Sequence, residues 1–202
     1  HAVGDNAIRK ALDAIQAART VNGESGLRHE TAHNSFVSDA DLGRFKSLNT
    51  IAEMSPKMWF PNAATPVQLG VLGEERLRTA HRIQDLLKAG AEMTYASDWP
   101  ASAPDANPWT GLSGMITRKN SDPAYEGNLN PEQAITLAEA LPLFTINGAR
   151  SLNMEAETGS LVIGKWADFI VLENPLEQSK AATIGTTNVK LTVWKGKVVF
   201  TQ

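Results

Sequence analysis

No cysteine occurs among the 202 residues, so neither a disulfide framework nor a thiolate metal site can be built. Any metal has to be held by nitrogen and oxygen ligands. No apolar run approaches the roughly 18 residues that a membrane-spanning helix needs. A surplus of positive charge is missing too: the formal net charge is −3, which gives no support for nucleic acid or an anionic membrane as a partner. Nothing ahead of Gly4 resembles a targeting segment. Because an absence of cysteine suits cytosol and periplasm alike, the compartment is not readable. What is present is ordinary for a globular protein, with 42% apolar and 20% charged residues.

The first residue is histidine, and His1-Ala2-Val3 reads as the last residues of a strand whose beginning is missing, so a piece of a longer protein is expected. Gly4-Asp5 offers a turn with Asp5 as N-cap, and Ile8, Ala11, Leu12, Ile15 and Ala18 then recur at helical spacing. Leu27 to Ala32 reads as a strand ending at His33. Ser38, Asp39 and Asp41 open a second helix with Leu42, Phe45 and Leu48 on one face. Thr50 to Ser55 is the next strand, closed by Pro56. The proline- and glycine-containing stretch from Lys57 to Gly73 reads as a long loop of the kind that shapes binding sites. A helix is predicted over 78–89, stopped by Gly90, and a strand over 92–97. Residues 101–108 read as a loop and 109–118 as a helix. Asn130-Pro131-Glu132-Gln133 looks like a helix start with proline in the first turn and Gln133 in capping-box position. This alternation argues for an α/β fold of parallel strands with crossover helices. Past Leu152 the pattern turns β-rich, over 159–172 and in a hairpin over 188–201 turning at Lys195-Gly196-Lys197.

The chemistry gathers at strand ends. Ser97-Asp98-Trp99-Pro100 puts an acid at the carboxyl end of a strand, and the proline predicts an extended turn there. His1 and His33 each close another predicted strand. A single strand-end histidine is more often a hydrogen-bonded structural residue. In a barrel of adjacent strands, however, all three side chains converge on the rim where such folds keep their active sites. Two imidazoles and a carboxylate suit a divalent metal, zinc first, and a carboxylate beside a metal-activated water can relay its proton. His1, His33 and Asp98 are therefore the candidate metal ligands, with Asp98 also the catalytic acid/base. His29 would face the same side as His33 but deeper, supporting a ligand from behind. His81 reads as a surface or interface residue in the first turns of its helix, and Asp168 as a turn or strand-edge residue. Arg118 fits a helix C-terminus, with substrate contact as its second reading.

His1-Ala2-Val3-Gly4-Asp5, Arg28-His29-Glu30-Thr31-Ala32-His33 and Ser97-Asp98-Trp99-Pro100 resemble motifs of the amidohydrolase superfamily. The group they are most similar to is the amidohydrolase 3 (YtcJ-like) family. Thr145 to Arg150 and Gly159 to Asp168 are similar to that family's C-terminal signature. The resemblance implies the C-terminal half, strands five to eight, of a (β/α)₈ TIM-type barrel, plus the C-terminal strands of a β-sandwich. The barrel portion with its trailing helices would be 1–152 and the sandwich portion 153–202. It further implies His1 as the strand-five ligand, His33 as the strand-six ligand and Asp98 as the strand-eight acid. A metal-dependent hydrolase of C–N bonds in amides, formamides or cyclic amides is then expected, acting on a small molecule. The N-terminal half of the same protein is the expected partner. Without it the piece would be inactive and would expose an apolar seam. The oligomeric state is open. The alternatives are a non-catalytic binding or assembly module that retains the fold, and a deaminase of the same superfamily. That second group has His-Ala-Gly-Glu and Asp-Asp where this chain has His-Ala-Val-Gly-Asp and Asp-Trp.

Overall fold

The computed structural model describes residues 1–23, 26–101, 105–120, 122–176 and 180–202, so part of the loop predicted over 101–108 lies outside the described residues. Helix α1 (Asp5–Asn22) buries Ile8 and Leu12, four residues apart on one face. Its N-cap is Gly4, not Asp5, which is the first helical residue and pairs with Arg76 at 3.1 Å. Strand β1 (His29–Ala32), helix α2 (Asp39–Ser47) and strand β2 (Thr50–Met54) follow. Asp41 of α2 is fully buried. It accepts hydrogen bonds from Arg9 of α1, from Ser38 and from Arg44, joining the two helices.

The stretch from Lys57 to Gly73 is not the loop its prolines and glycines suggest. A 3₁₀ turn over Pro56–Met58 leads to helix α3 (Thr65–Leu77), which breaks at Gly73, φ 75°. Pro66 sits in the first turn of α3, where its missing N–H leaves nothing unsatisfied. The helix predicted over 78–89 shrinks to α4 (Ile83–Lys88), because the chain turns through His81 at φ 55° before entering it. Strand β3 (Met93–Tyr95) comes next, then helix α5 (Pro108–Thr117), whose Asn107 cap accepts from the Trp109 amide.

The expected helix start at Asn130 is only a 3₁₀ turn, Pro131–Gln133. The Gln133 side chain is engaged elsewhere, accepting from the Gln84 and Asp85 amides and donating to the Asp85 carboxylate. The capping box lies six residues further on than expected, where Thr136 and Glu139 exchange hydrogen bonds at the start of α6 (Leu137–Ala140). A 3₁₀ turn and α7 (Ile146–Ser151) complete the helical part. Within 159–172 only β4 (Phe169–Leu172) is strand, the preceding residues forming turns. Asp168 stands at the strand edge, immediately before β4, accepting from Thr158 Oγ1 and the Lys195 amide. Strands β5 (Val189–Trp194) and β6 (Lys197–Thr201) form the hairpin, turning through Lys195 (φ 49°) and Gly196 (φ 74°).

Two sheets result. The first is parallel, in the order β1-β2-β3, with Thr31 beside Ala52 and Ala52 beside Met93. A parallel bridge from Ala2 to His33 extends it by one short segment on the β1 side. The second is antiparallel, in the order β4-β5-β6. The α/β expectation therefore holds for the first part of the chain, where α2, α3 and α4 make the crossovers. Ile8, Leu12, Phe45, Ala52, Met54, Ile83, Leu86, Met93 and Met115 form one core between sheet and helices. Helix α5 approaches β3 so closely that a Cβ on Gly111 would lie 2.5 Å from Tyr95 Cε2. The Tyr95 ring is in turn stacked on Phe144 at 4.1 Å.

Candidate functional site

Parallel strands place their carboxyl ends on one rim, and three of the candidate residues stand there. The Ala2 amide donates to the Ala32 carbonyl and the Asn34 amide to the Ala2 carbonyl, which brings His1 alongside the end of β1. His33 and Asn34 then adopt left-handed backbone, φ 72° and 48°. His, Asn and Asp tolerate this region better than most residues. Asn34 is fully buried and acts as a clasp. Its amide donates to the carbonyls of Thr31 and Glu53, while Thr31 Oγ1 donates to its Oδ1, so the ends of β1 and β2 are tied together. Asp98 follows β3, also left-handed at φ 54° rather than in the extended turn predicted for it, and the Trp99-Pro100 bond is cis.

His1 Nδ1 and His33 Nε2 face each other at 2.6 Å with their rings stacked, and Asp98 Oδ1 lies 4.0 Å from the same His33 nitrogen. The donor set suits a divalent ion: two imidazole nitrogens, one carboxylate, no sulfur. The spacing is tighter than shared coordination. Two ligands at about 2.0–2.1 Å from a tetrahedral ion stand about 3.3 Å apart. Opening the imidazole pair by less than about 1 Å would meet that requirement. Among the described residues, no group of three His, Asp or Glu side chains already encloses an ion position.

Behind His33 lies a second partner. His33 Nδ1 is 3.1 Å from Ser55 Oγ, and that hydroxyl donates to Glu53 Oε1 at 3.1 Å. Burial raises the Glu53 pKa, opposed by its bond from Ser55 and assisted by the nearby carboxylates of Glu30 and Asp98. Neither Ser55 nor Glu53 was a sequence candidate. The available signal was their position, since Ser55 directly follows β2 on the same rim.

The remaining candidates stand elsewhere. His29 turns toward α1, with Nδ1 3.4 Å from Arg19 Nη2. The expected shared face with His33 fails because His33 leaves strand geometry, so the alternation of β1 ends at Ala32. Arg118 is wholly buried at the left-handed C-cap of α5, its Nε donating to the Leu129 carbonyl and Nη1 to the His81 carbonyl, with the guanidinium 5.0 Å from the Trp59 ring centroid. That enclosure leaves it no access to a substrate, and burial lowers its pKa to about 10. His81 is no surface residue. It is buried against Trp59 with ring centroids 5.8 Å apart, and its amide donates to the Ser35 carbonyl. Burial first, then the Arg118 and His33 charges, hold its pKa well below the usual imidazole value.

Segments following β2 and β3 also line a cleft of about 560 Å³, with Lys57, Phe60, Asn62, Gln68, Asp105 and Tyr125 among its walls. Lys57 is buried and donates to both the carbonyl and the carboxylate of Asp105.

With this geometry in view, the comparisons are specific. Residues 1–200 match the sequence model of the family described as "Amidohydrolase family". The putative amidohydrolase YtcJ of Bacillus subtilis is 28% identical over 201 residues, 99% of this chain and 36% of that protein. The N-substituted formamide deformylase of Arthrobacter pascens is 30% identical over 177 residues, 86% of this chain and 31% of that protein. The crystal structure of an uncharacterized metal-dependent hydrolase from Pyrococcus horikoshii superposes with a TM-score of 0.62 at 29% identity, covering 82% of this chain and 31% of the other. The chain thus spans about a third of the length of these relatives.

Proposed function

The chain belongs to the amidohydrolase family, and from that premise we propose that it carries part of the active site of a metal-dependent hydrolase of C–N bonds. In this reading residues 1–152 supply strands five to eight of a (β/α)₈ barrel, and residues 153–202 supply strands of a β-sandwich. The observation that carries the proposal is the convergence of His1 Nδ1, His33 Nε2 and Asp98 Oδ1 at the carboxyl ends of one parallel sheet, none further than 4.0 Å from His33 Nε2.

His1 and His33 would hold a divalent ion through the nitrogens that now face each other, with Asp98 completing their side of the site. Such an ion, zinc being the first choice, supplies Lewis acidity that makes water a nucleophile near neutral pH. Asp98 then does the proton work. Its carboxylate takes the proton from the water attacking the amide carbonyl and returns it to the departing nitrogen, so one group serves as base and then acid. The left-handed turn at Asp98 aims that carboxylate back toward His33. The cleft beside Lys57 is the natural place for the remainder of a small amide or formamide substrate.

The test is Asp98→Asn in the full-length protein, assayed against a panel of amides, formamides and cyclic amides, with metal content measured alongside. Turnover should fall by about 10²–10⁴-fold, the usual contribution of a positioned acid/base. Unchanged turnover would remove Asp98 from the chemistry. A wild-type protein that binds no divalent metal would favour a non-catalytic module instead.

A further inference from the structure

We propose that Ser55 and Glu53 are positioning residues that fix the tautomer of His33 and so present its Nε2 lone pair to the ion. This rests on the reading of His33 as a ligand. Ser55 Oγ carries a single hydrogen and lies 3.1 Å from Glu53 Oε1, where it acts as donor. A carboxylate is acceptor only, so it can give nothing back. The same Oγ is 3.1 Å from His33 Nδ1, and with its hydrogen already committed it can only accept there. His33 is therefore held as the Nδ1–H form, and the lone pair falls on Nε2, the atom that faces His1 Nδ1 and Asp98 Oδ1.

The chain of contacts is enclosed. Ser55 is fully buried and His33 nearly so, so water does not readily replace the hydroxyl. Its two ends are anchored by backbone as well. Asn34, next to His33, donates its amide to the carbonyl of Glu53, which fixes the span between the imidazole and the carboxylate. Ligating imidazoles commonly depend on such a partner at the far nitrogen, and its loss typically costs about 10–100-fold in metal affinity.

The experiment separates this inference from the ligand reading. In the full-length protein labelled with ¹⁵N-histidine, long-range ¹H–¹⁵N spectra of the metal-free form at pH 8 report the His33 tautomer, with His33→Gln identifying its signals. The wild type should show the Nδ1–H pattern. Ser55→Ala should move His33 toward Nε2–H and weaken zinc binding, measured by chelator competition, by about tenfold or more. Ser55→Thr, which keeps the hydroxyl, should restore both. Glu53→Gln decides the matter where Ser55→Ala does not fold. Its amide can donate to Ser55 Oγ, freeing the hydroxyl to donate to Nδ1, so the tautomer should again shift. A tautomer unchanged in the folded variants overturns the proposal. A shifted tautomer with zinc affinity unmoved by His33→Gln upholds the positioning and sinks the ligand assignment.

Discussion

His81 should make the fold acid-sensitive, and the size of the effect can be worked out. The ring is buried, stacked on Trp59 and close enough to Arg118 and His33 for their charges to oppose its protonation. Its Nδ1 has no hydrogen-bond partner among the described residues, so nothing there compensates a charge. The folded pKa is depressed well below that of the unfolded chain, about 6.5. Below that value the unfolded chain takes up a proton that the folded chain refuses, so stability falls as pH falls. The limiting slope is about 1.4 kcal/mol per pH unit, so between pH 7 and pH 5 one such site costs at most about 2 kcal/mol. The variant for the assay is His81→Asn, because asparagine accepts the left-handed backbone at φ 55°. Urea unfolding of both proteins at pH 7, 6 and 5 gives two stability profiles. Their difference should shrink toward acid, by at most about 2 kcal/mol, since the variant has no such proton to refuse. Parallel profiles, with the same loss in both, would refute the claim that His81 is held neutral.

Gly111→Ala should destabilise by about 1–3 kcal/mol in urea unfolding, the usual cost of overpacking. Its new methyl would stand 2.5 Å from a Tyr95 ring already stacked on Phe144. Phe45→Ala removes a wholly buried ring between α2 and the sheet and should cost about 3–5 kcal/mol by the same measurement. Thr136→Ala breaks the capping box at α6 and should cost about 1 kcal/mol, visible as a lowered urea midpoint with an unchanged slope.

Much of this was readable where local and global preferences agree. The apolar spacing of Ile8 and Leu12 marks α1, and the βαβ alternation yields the parallel sheet. Lys195-Gly196 sits where a two-residue hairpin turn wants positive φ. The strand-end positions of His1, His33 and Asp98 were enough to bring them together. The failures have physical causes. Proline near Thr65 looked like a breaker, yet in the first turn of α3 it is compatible with helix. Gln133 fitted a capping-box pattern, but its amide is consumed by backbone groups 48 and 49 residues away, a tertiary contact without local signature. His81 looked helical and exposed because nothing in a linear pattern reveals a left-handed residue under Trp59. Ser55 and Glu53 were missed because an ordinary Glu-Met-Ser sequence carries no sign of what the serine hydroxyl will face.

Strand β6 carries one more implication. Every residue from Lys197 to Thr201 is exposed, and among the described residues β6 is paired on one side only, by β5. Among the described residues nothing pairs the outer side of Val198, Val199 and Phe200, whose outward backbone donors and acceptors form a template for an incoming strand. Lysine at its start is the only charge along it, a single guard against self-association of a short, β-branched, uncharged run. A chain presenting that edge freely would be expected to gather into oligomers as its concentration rises, and a lysine in place of Val199 should hold it apart.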